Sequence, residues 1–64
     1  MYVYYNGKIA DCQIEETATA YIIYSDSQDV PEDIIIDKFL CDFQEKYENN
    51  KLKIIVCHKN SELT

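Results

Sequence analysis

The side chains at the N-terminus of the chain follow the two-residue period of a β-strand, with Met1, Val3 and Tyr5 on one side and Tyr2 and Tyr4 on the other. Residues 1–5 carry aromatic and β-branched side chains, and Asn6-Gly7 follows them. This dipeptide favours a type I′ turn, because both central positions of that turn need a positive φ. We therefore predict a hairpin whose second strand covers residues 8–14. Its predicted pairs are Tyr5 with Lys8, Tyr4 with Ile9, and Val3 with Ala10.

Two further strands are predicted from short apolar runs. Glu15-Glu16 is typical of a polar turn, and residues 17–24, rich in Thr, Tyr and Ile, predict a third strand. The register between the second and third strands stays open. Residues 51–58 contain an apolar run that is short enough for a last strand.

One helix is predicted between the third and last strands, over residues 31–48. Apolar residues recur there at helical spacing, with a core face centred on Ile36 and Phe43. Asp29 and Glu32 have the spacing of a capping box, and Pro31 suits the first helical turn. On the opposite side, Ile34 and Cys41 are seven positions apart and predict a small exposed apolar spot. Asn49-Asn50 is a plausible helix end.

The order of elements predicts a two-layer α+β fold, βββαβ, with a mostly antiparallel four-stranded sheet and one helix packed on one face. The crossover should place the last strand parallel to the third, beside either sheet edge. A chain of 64 residues has room for one domain, residues 1–64, in which 59–64 form a polar, frayed tail.

The alternation within the strands carries the functional prediction. A single helix covers one sheet face, so the other face should be polar. Here both sets of alternating positions are apolar, with Tyr2 and Tyr4 on one side of the first strand and Val3 on the other. Exposed apolar patches usually mark interaction sites, and tyrosine is enriched in interfaces. Alternatively, sheet twist and the polar tail hide most of this face.

Charge narrows the class of partner. The net charge is −6, from twelve carboxylates and six lysines, without arginine. Nucleic-acid binding needs cationic groups against phosphates, so direct binding to DNA or RNA is not expected. The acidity suits a protein with a basic surface, or it serves solubility. The candidate partner-binding acids are Glu15, Glu16, Asp26, Asp29, Glu32, Asp33 and Asp37. Those near the helix start also complement its dipole.

The residues that could catalyse a reaction or bind a metal do not have the spacing that a catalytic or metal site needs. Cys57 and His58 are neighbours on a strand, so their side chains should point to opposite faces. No CxxC or HxxxH spacing indicates a metal site, and the single glycine is committed to the hairpin turn. We therefore expect no enzyme, no catalytic residue, no metal and no cofactor. Cys12 and Cys57 are predicted to be packing residues, and Cys41 to be the most reactive thiol.

Cysteine usage and hydropathy indicate the cytoplasm. Three irregularly spaced cysteines suit reduced thiols better than a disulfide framework. The N-terminus has no basic region followed by an apolar run, so no signal peptide is expected. No stretch approaches the roughly 20 apolar residues of a membrane span, so no membrane association is expected.

Two internal stretches and the C-terminal end resemble a known group. Residues 21–27 (YIIYSDS), 36–43 (IDKFLCDF) and 59–63 (KNSEL) are similar to segments of small, acidic, phage-encoded anti-CRISPR inhibitors. The resemblance implies a nucleic-acid mimic, in which carboxylates placed like phosphates block the DNA-binding site of an effector nuclease. It would assign this role to Asp26, Asp29, Glu32, Asp33 and Asp37.

Together these patterns predict a non-enzymatic protein-binding module, a small phage or mobile-element inhibitor that blocks a basic, nucleic-acid-binding site on a host protein. The alternative is a homo-oligomeric structural or adaptor domain whose acidity serves solubility. A homodimer would form through the uncovered sheet face or through an edge strand.

Overall fold

A computed structural model describes residues 1–58, which form four strands and two helices. In chain order these are β1 (Tyr2–Tyr5), β2 (Lys8–Glu16), β3 (Ala20–Ser25), α1 (Glu32–Asp42), α2 (Gln44–Asn50) and β4 (Lys53–His58). The strands lie in the order β1-β2-β3-β4 within one mixed sheet. The α+β class is confirmed. The predicted frayed tail, residues 59–64, lies outside the described residues.

The N-terminal hairpin forms as predicted. Asn6 and Gly7 have φ values of 52° and 79°, the left-handed conformation that a type I′ turn needs. Tyr5 pairs with Lys8, and the remaining pairs follow the predicted register to Tyr2 with Asp11.

The second turn lies further along the chain than predicted. Glu15 and Glu16 belong to β2, so a polar turn at these two residues is wrong. The turn falls on residues 17–19, where the Thr17 hydroxyl accepts hydrogen bonds from the backbone N–H groups of Thr19 (3.3 Å) and Ala20 (3.0 Å). Because this hydroxyl satisfies backbone donors in the turn, Thr17 closes the hairpin and β3 begins only at Ala20.

The last strand runs parallel to β3 and occupies its free edge, with Ile22 opposite Ile55 and Ser25 opposite His58. The predicted parallel pairing is confirmed, while β1–β2 and β2–β3 are antiparallel. The sheet is therefore mixed, and the helical crossover fixes on which side of β3 the chain returns.

The predicted single helix is wrong, because the chain leaves helical geometry at Phe43. This residue has φ −122° and ψ 35°, and it separates α1 from α2. Phe43 stacks on Phe39, with ring centroids 5.1 Å apart, and both Phe43 and Tyr47 pack against the core. Lys51, at φ 52°, ends α2, so the helix includes Asn49 and Asn50 and ends two residues beyond the predicted end at about Glu48.

The predicted capping box at the start of α1 is also wrong. Pro31 occupies the cap position, where no side chain caps the helix, and Glu32 is the first helical residue. Asp29 lies in a tight loop instead, where its backbone N–H donates to the Ser27 hydroxyl at 3.1 Å. Proline suits this position because its fixed φ leads into the helix and it has no N–H to satisfy.

The core lies between the helices and one face of the sheet. From the sheet come Val3, Ala10, Cys12, Tyr21 and Ile23, and from the crossover Val30, Ile35 and Phe39. The helix is therefore rotated from its predicted phase, because Ile35 and Phe39 are buried whereas Ile36 is only half-buried. Ile34 packs against this core, so the predicted exposed spot that it would share with Cys41 is wrong.

The second helix is fixed to the sheet through one buried tyrosine. The Tyr21 hydroxyl donates to the Lys46 carbonyl at 3.3 Å and accepts from the Asn50 side-chain amide at 2.9 Å. The Tyr21 ring packs against Phe39 at a centroid distance of 5.2 Å. One side chain of β3 therefore holds both helices.

The rotated helix phase gives a stability prediction. Replacing Ile35 by alanine should lower the free energy of unfolding by about 2–5 kcal/mol, because a fully buried side chain is removed. Ile36→Ala, on the next residue of the same helix, should cost about 1 kcal/mol or less. Urea denaturation followed by circular dichroism measures both. An equal or larger loss in Ile36→Ala would contradict the observed phase.

Candidate interaction surface

The sheet face that points away from the helices carries exposed aromatic and aliphatic side chains. Since Val3 and Ala10 are buried under the helices, their strand neighbours Tyr2, Tyr4 and Ile9 point to the opposite side. Tyr4 is 71% exposed, Tyr2 58% and Ile9 50%, and Tyr4 and Ile9 are directly paired across the hairpin. We call these three residues the hairpin patch.

A second apolar group lies on the same face of the sheet, on β3 and β4, away from the hairpin. Strand pairing places Ile22 beside Ile55 and Tyr24 beside Cys57. Ile55 is exposed and the other three are half-buried. Between this group and the hairpin patch runs β2, which presents Asp11, Gln13 and Glu15. The open face is therefore two apolar areas divided by a polar strip.

The polar strip is connected to the second apolar area by a hydrogen bond. The Tyr24 hydroxyl donates to Glu15 Oε1 at 2.8 Å. This bond to a carboxylate, with a smaller contribution from desolvation, raises the pKa of Tyr24 above its usual value. Tyr24 is thus held as a neutral donor, and its partner Glu15 is fixed on the open face.

Four of the predicted acids lie close together in the sequence, in the segment that joins β3 to α1 and in the first turn of α1. Asp26 follows β3, and its Oδ1 accepts the backbone N–H of Asp11 at 2.9 Å. Asp29 lies 4.0 Å from Lys8 Nζ, next to the hairpin turn. Glu32 and Asp33 form the first turn of α1. We call these four residues the acidic loop, which adjoins the hairpin at two points.

The remaining predicted acids lie elsewhere. Glu16 is at the far end of β2, where it forms an ion pair with Lys46 at 2.9 Å. Cys12, near the acidic loop, and Glu16 are four positions apart on the strand, or roughly 13 Å. Glu15 is on the opposite sheet face, and Asp37 lies on the outer side of α1 near Cys41. The acids therefore do not form one continuous surface.

The cysteines occupy three different environments. Cys12 is buried, and this burial raises the pKa of its thiol. Cys41 is exposed, and Cys57 is half-buried on the open face. His58 points to the helix side, with Nδ1 3.2 Å from the Ser27 carbonyl oxygen, so the predicted separation of Cys57 and His58 is confirmed. Among residues 1–58, no group of three or more His, Cys, Asp or Glu side chains is placed to hold a metal ion.

Sequence reasoning missed a depression between the sheet and the helix break. It has a volume of about 310 Å³. Its lining is Ile14, Glu16, Tyr21, Phe39, Phe43 and Lys46. No local pattern marks it, because its lining residues come from β2, β3 and the helical segment, which are far apart in the sequence. A wider depression of about 500 Å³ lies on the outer side of the two helices, around Leu40 and Tyr47.

Comparison of the chain with protein-family models, curated proteins and solved structures gives no match. Within residues 1–58, neither helix has the length and apolar character needed to cross a membrane.

The three thiol environments predict an order of alkylation. With iodoacetamide at neutral pH, Cys41 should react first, Cys57 more slowly, and Cys12 only when the domain unfolds, because burial blocks access and raises the pKa of this thiol. Peptide mass spectrometry after timed quenching gives the three rates. The same experiment in denaturant is the control and should equalise them. Rapid native labelling of Cys12 would contradict the observed burial.

Proposed function

We propose that this domain is a non-enzymatic protein-binding module that contacts its partner through the hairpin patch. The observation that supports this most directly is the exposure of Tyr4 and Ile9, at 71% and 50%, on adjacent strands. A paired tyrosine and isoleucine offer apolar area that gains free energy when a partner removes it from water, about 25 cal/mol per Å².

The hairpin also limits the entropic cost of binding. Its two strands are fixed by the Asn6-Gly7 turn and by Val3 and Ala10, which are buried in the core beneath the patch. Tyrosine has few rotatable bonds, so little side-chain freedom is lost when its ring becomes buried. A rigid strand pair that carries tyrosines is therefore well suited to supply the few contacts that dominate a binding energy.

The acidic loop supports a basic partner. Asp26 and Asp29 adjoin the hairpin at Asp11 and Lys8, so a partner that covers the hairpin patch and also extends around this end of the sheet, to the side on which Lys8 lies, would meet these carboxylates. Complementary charge accelerates association and selects against acidic competitors. We further propose, in line with the resemblance to anti-CRISPR inhibitors, that the loop occupies a basic, nucleic-acid-binding site of a cytoplasmic host protein.

A second copy of the chain is the competing occupant of the open face. A homo-oligomeric adaptor would bury the same apolar residues and enlarge a small core. The net charge of −6 opposes this arrangement, because two copies bring like charges together. We therefore place a different, basic protein ahead of self-association.

A matched pair of tyrosine variants tests the hairpin patch. Tyr4 and Tyr5 are neighbours on β1, but Tyr5 is 39% exposed and points to the helix side. Tyr4→Ala should weaken partner binding at least about tenfold, as expected for an interface tyrosine, and Tyr5→Ala should change it much less. Both proteins are used as baits in pull-downs from the native host, and the recovered partner is titrated by calorimetry. Equal affinity in the two variants would contradict the proposal.

Charge reversal separates the two candidate occupants. Asp26→Lys, Asp29→Lys and Asp33→Lys together should abolish binding to a basic partner and make the residual affinity less sensitive to salt. If the protein is instead a homo-oligomer, sedimentation equilibrium should show an assembly larger than 7.5 kDa that keeps its size when these acids are reversed. A monomer that retains full partner affinity after the reversal would contradict the charge assignment.

A further inference from the structure

Only about half of β2 has a hydrogen-bonded neighbour on the edge that faces β1. Cys12 and Met1 exchange two backbone hydrogen bonds, Cys12 N–H to Met1 O at 2.8 Å and Met1 N to Cys12 O at 3.0 Å. Pairing between β1 and β2 covers residues 8–11 of β2 up to this point. Beyond Cys12, β2 continues for four more residues to Glu16.

The backbone groups of this remaining stretch have a defined direction. Odd-numbered residues of β2 pair toward β3, since the Asp11 carbonyl accepts from Asp26 N–H and Thr17 N–H donates to the Ala20 carbonyl. In an antiparallel ladder the intervening residues point the other way. The backbone N–H and C=O groups of Ile14 therefore face this edge, where no strand within residues 1–58 pairs with Ile14.

The depression of about 310 Å³ adjoins this edge on the helix side. Ile14 and Glu16 line it from β2, and Phe39 and Phe43 line it from the helical segment. A residue placed opposite Ile14 in the ladder would point to the same side as Ile14. Its side chain would therefore reach the depression, which is lined by four apolar or aromatic side chains and by Glu16 and Lys46, which form an ion pair.

The charge of Glu15 indicates which residues a strand added to the free edge of β2 would carry. Glu15 lies on the open face, and a residue paired opposite it would also point there. The Glu15 carboxylate is exposed and is approached by the Tyr24 hydroxyl, a neutral group. A lysine or arginine opposite Glu15 would form an ion pair, and an acidic residue would be repelled.

We propose that residues 13–16 of β2 bind an extended, basic segment of the partner protein as an added antiparallel strand, in line with β1. The segment places an apolar side chain opposite Ile14, in the depression, and a cationic side chain opposite Glu15. Main-chain hydrogen bonds supply affinity in this mode, and pockets for alternate side chains supply selectivity. This inference rests on the proposed function and specifies how part of the basic partner is held.

The test uses synthetic peptides, so the protein stays unmodified. The probe is a fluorescein-labelled, terminally blocked Thr-Lys-Thr-Lys-Leu-Thr, with the leucine opposite Ile14 and the second lysine opposite Glu15. Versions with phenylalanine or valine at the leucine position complete the series. Fluorescence anisotropy should show saturable binding of at least one of the three peptides.

Two N-methylated versions of the binding peptide separate strand addition from other modes. N-methylation of the apolar residue removes the N–H that donates to the Ile14 carbonyl and should weaken binding at least about tenfold. N-methylation of the second lysine alters an N–H that points away from β2 and should have a much smaller effect. Hydrogen exchange at the Ile14 amide should slow when the unmodified peptide binds. Equal effects of the two methyl groups would overturn the inference.

Two protein variants locate the charge contact. Glu15→Lys should weaken peptide binding several-fold, whereas Glu48→Lys, the same charge change at an exposed residue on the outer side of the helices, should leave it nearly unchanged. Equal losses would indicate general electrostatic attraction and overturn the assignment to this edge. If none of the three peptides binds, the edge inference fails even where Tyr4→Ala weakens partner binding. If the peptides bind as described but Tyr4→Ala has no effect, the hairpin patch fails instead.

Discussion

The structure depends on the way β2 divides its backbone hydrogen bonds between two neighbouring strands. Alternate residues of β2 bond to β1 on one edge and to β3 on the other. Cys12 pairs with Met1 on one edge, while Asp11 and Thr17 pair toward the strand on the other edge. The same alternation decides burial, because Ala10 and Cys12 lie under the helices and Ile9 and Asp11 lie on the open face. A shift of one residue would expose the core positions of β2 and bury its carboxylates. The register of this strand therefore determines which side chains pack under the helices and which lie on the open face.

Much of the fold could be predicted because local rules determine it. Asn6-Gly7 sets the hairpin register by itself, and a strand that follows a helical crossover pairs in parallel. The errors arose where tertiary contacts overruled periodicity. Phe43 has the spacing of a continuous helix, yet its packing against Phe39 accompanies a break in the helix. Ile35 and Ile36 are chemically equivalent in sequence, so only the packed structure distinguishes the buried one from its neighbour.

The candidate surface was predictable to a smaller extent. Alternation was enough to place Tyr2 and Tyr4 away from the helix side, because side-chain direction within a strand is a local property. The distribution of the acids was not, since the positions of Glu16 and Asp26 relative to each other follow from the pairing of β2 with β3. The depression beside Ile14 is lined by residues of β2, of β3 and of the helical segment together. A site built from three separate segments has no signature in any one of them.

The backbone pairing between Met1 and Cys12 has a practical consequence for handling the protein. Residues fused in front of Met1 would leave along the line of β1 and be directed toward the vacant row of β2. An affinity tag or fluorophore attached there would be held at high local concentration beside Ile14 and would compete with any added strand. Binding experiments on the β2 edge therefore need a protein without a tag or label in front of Met1.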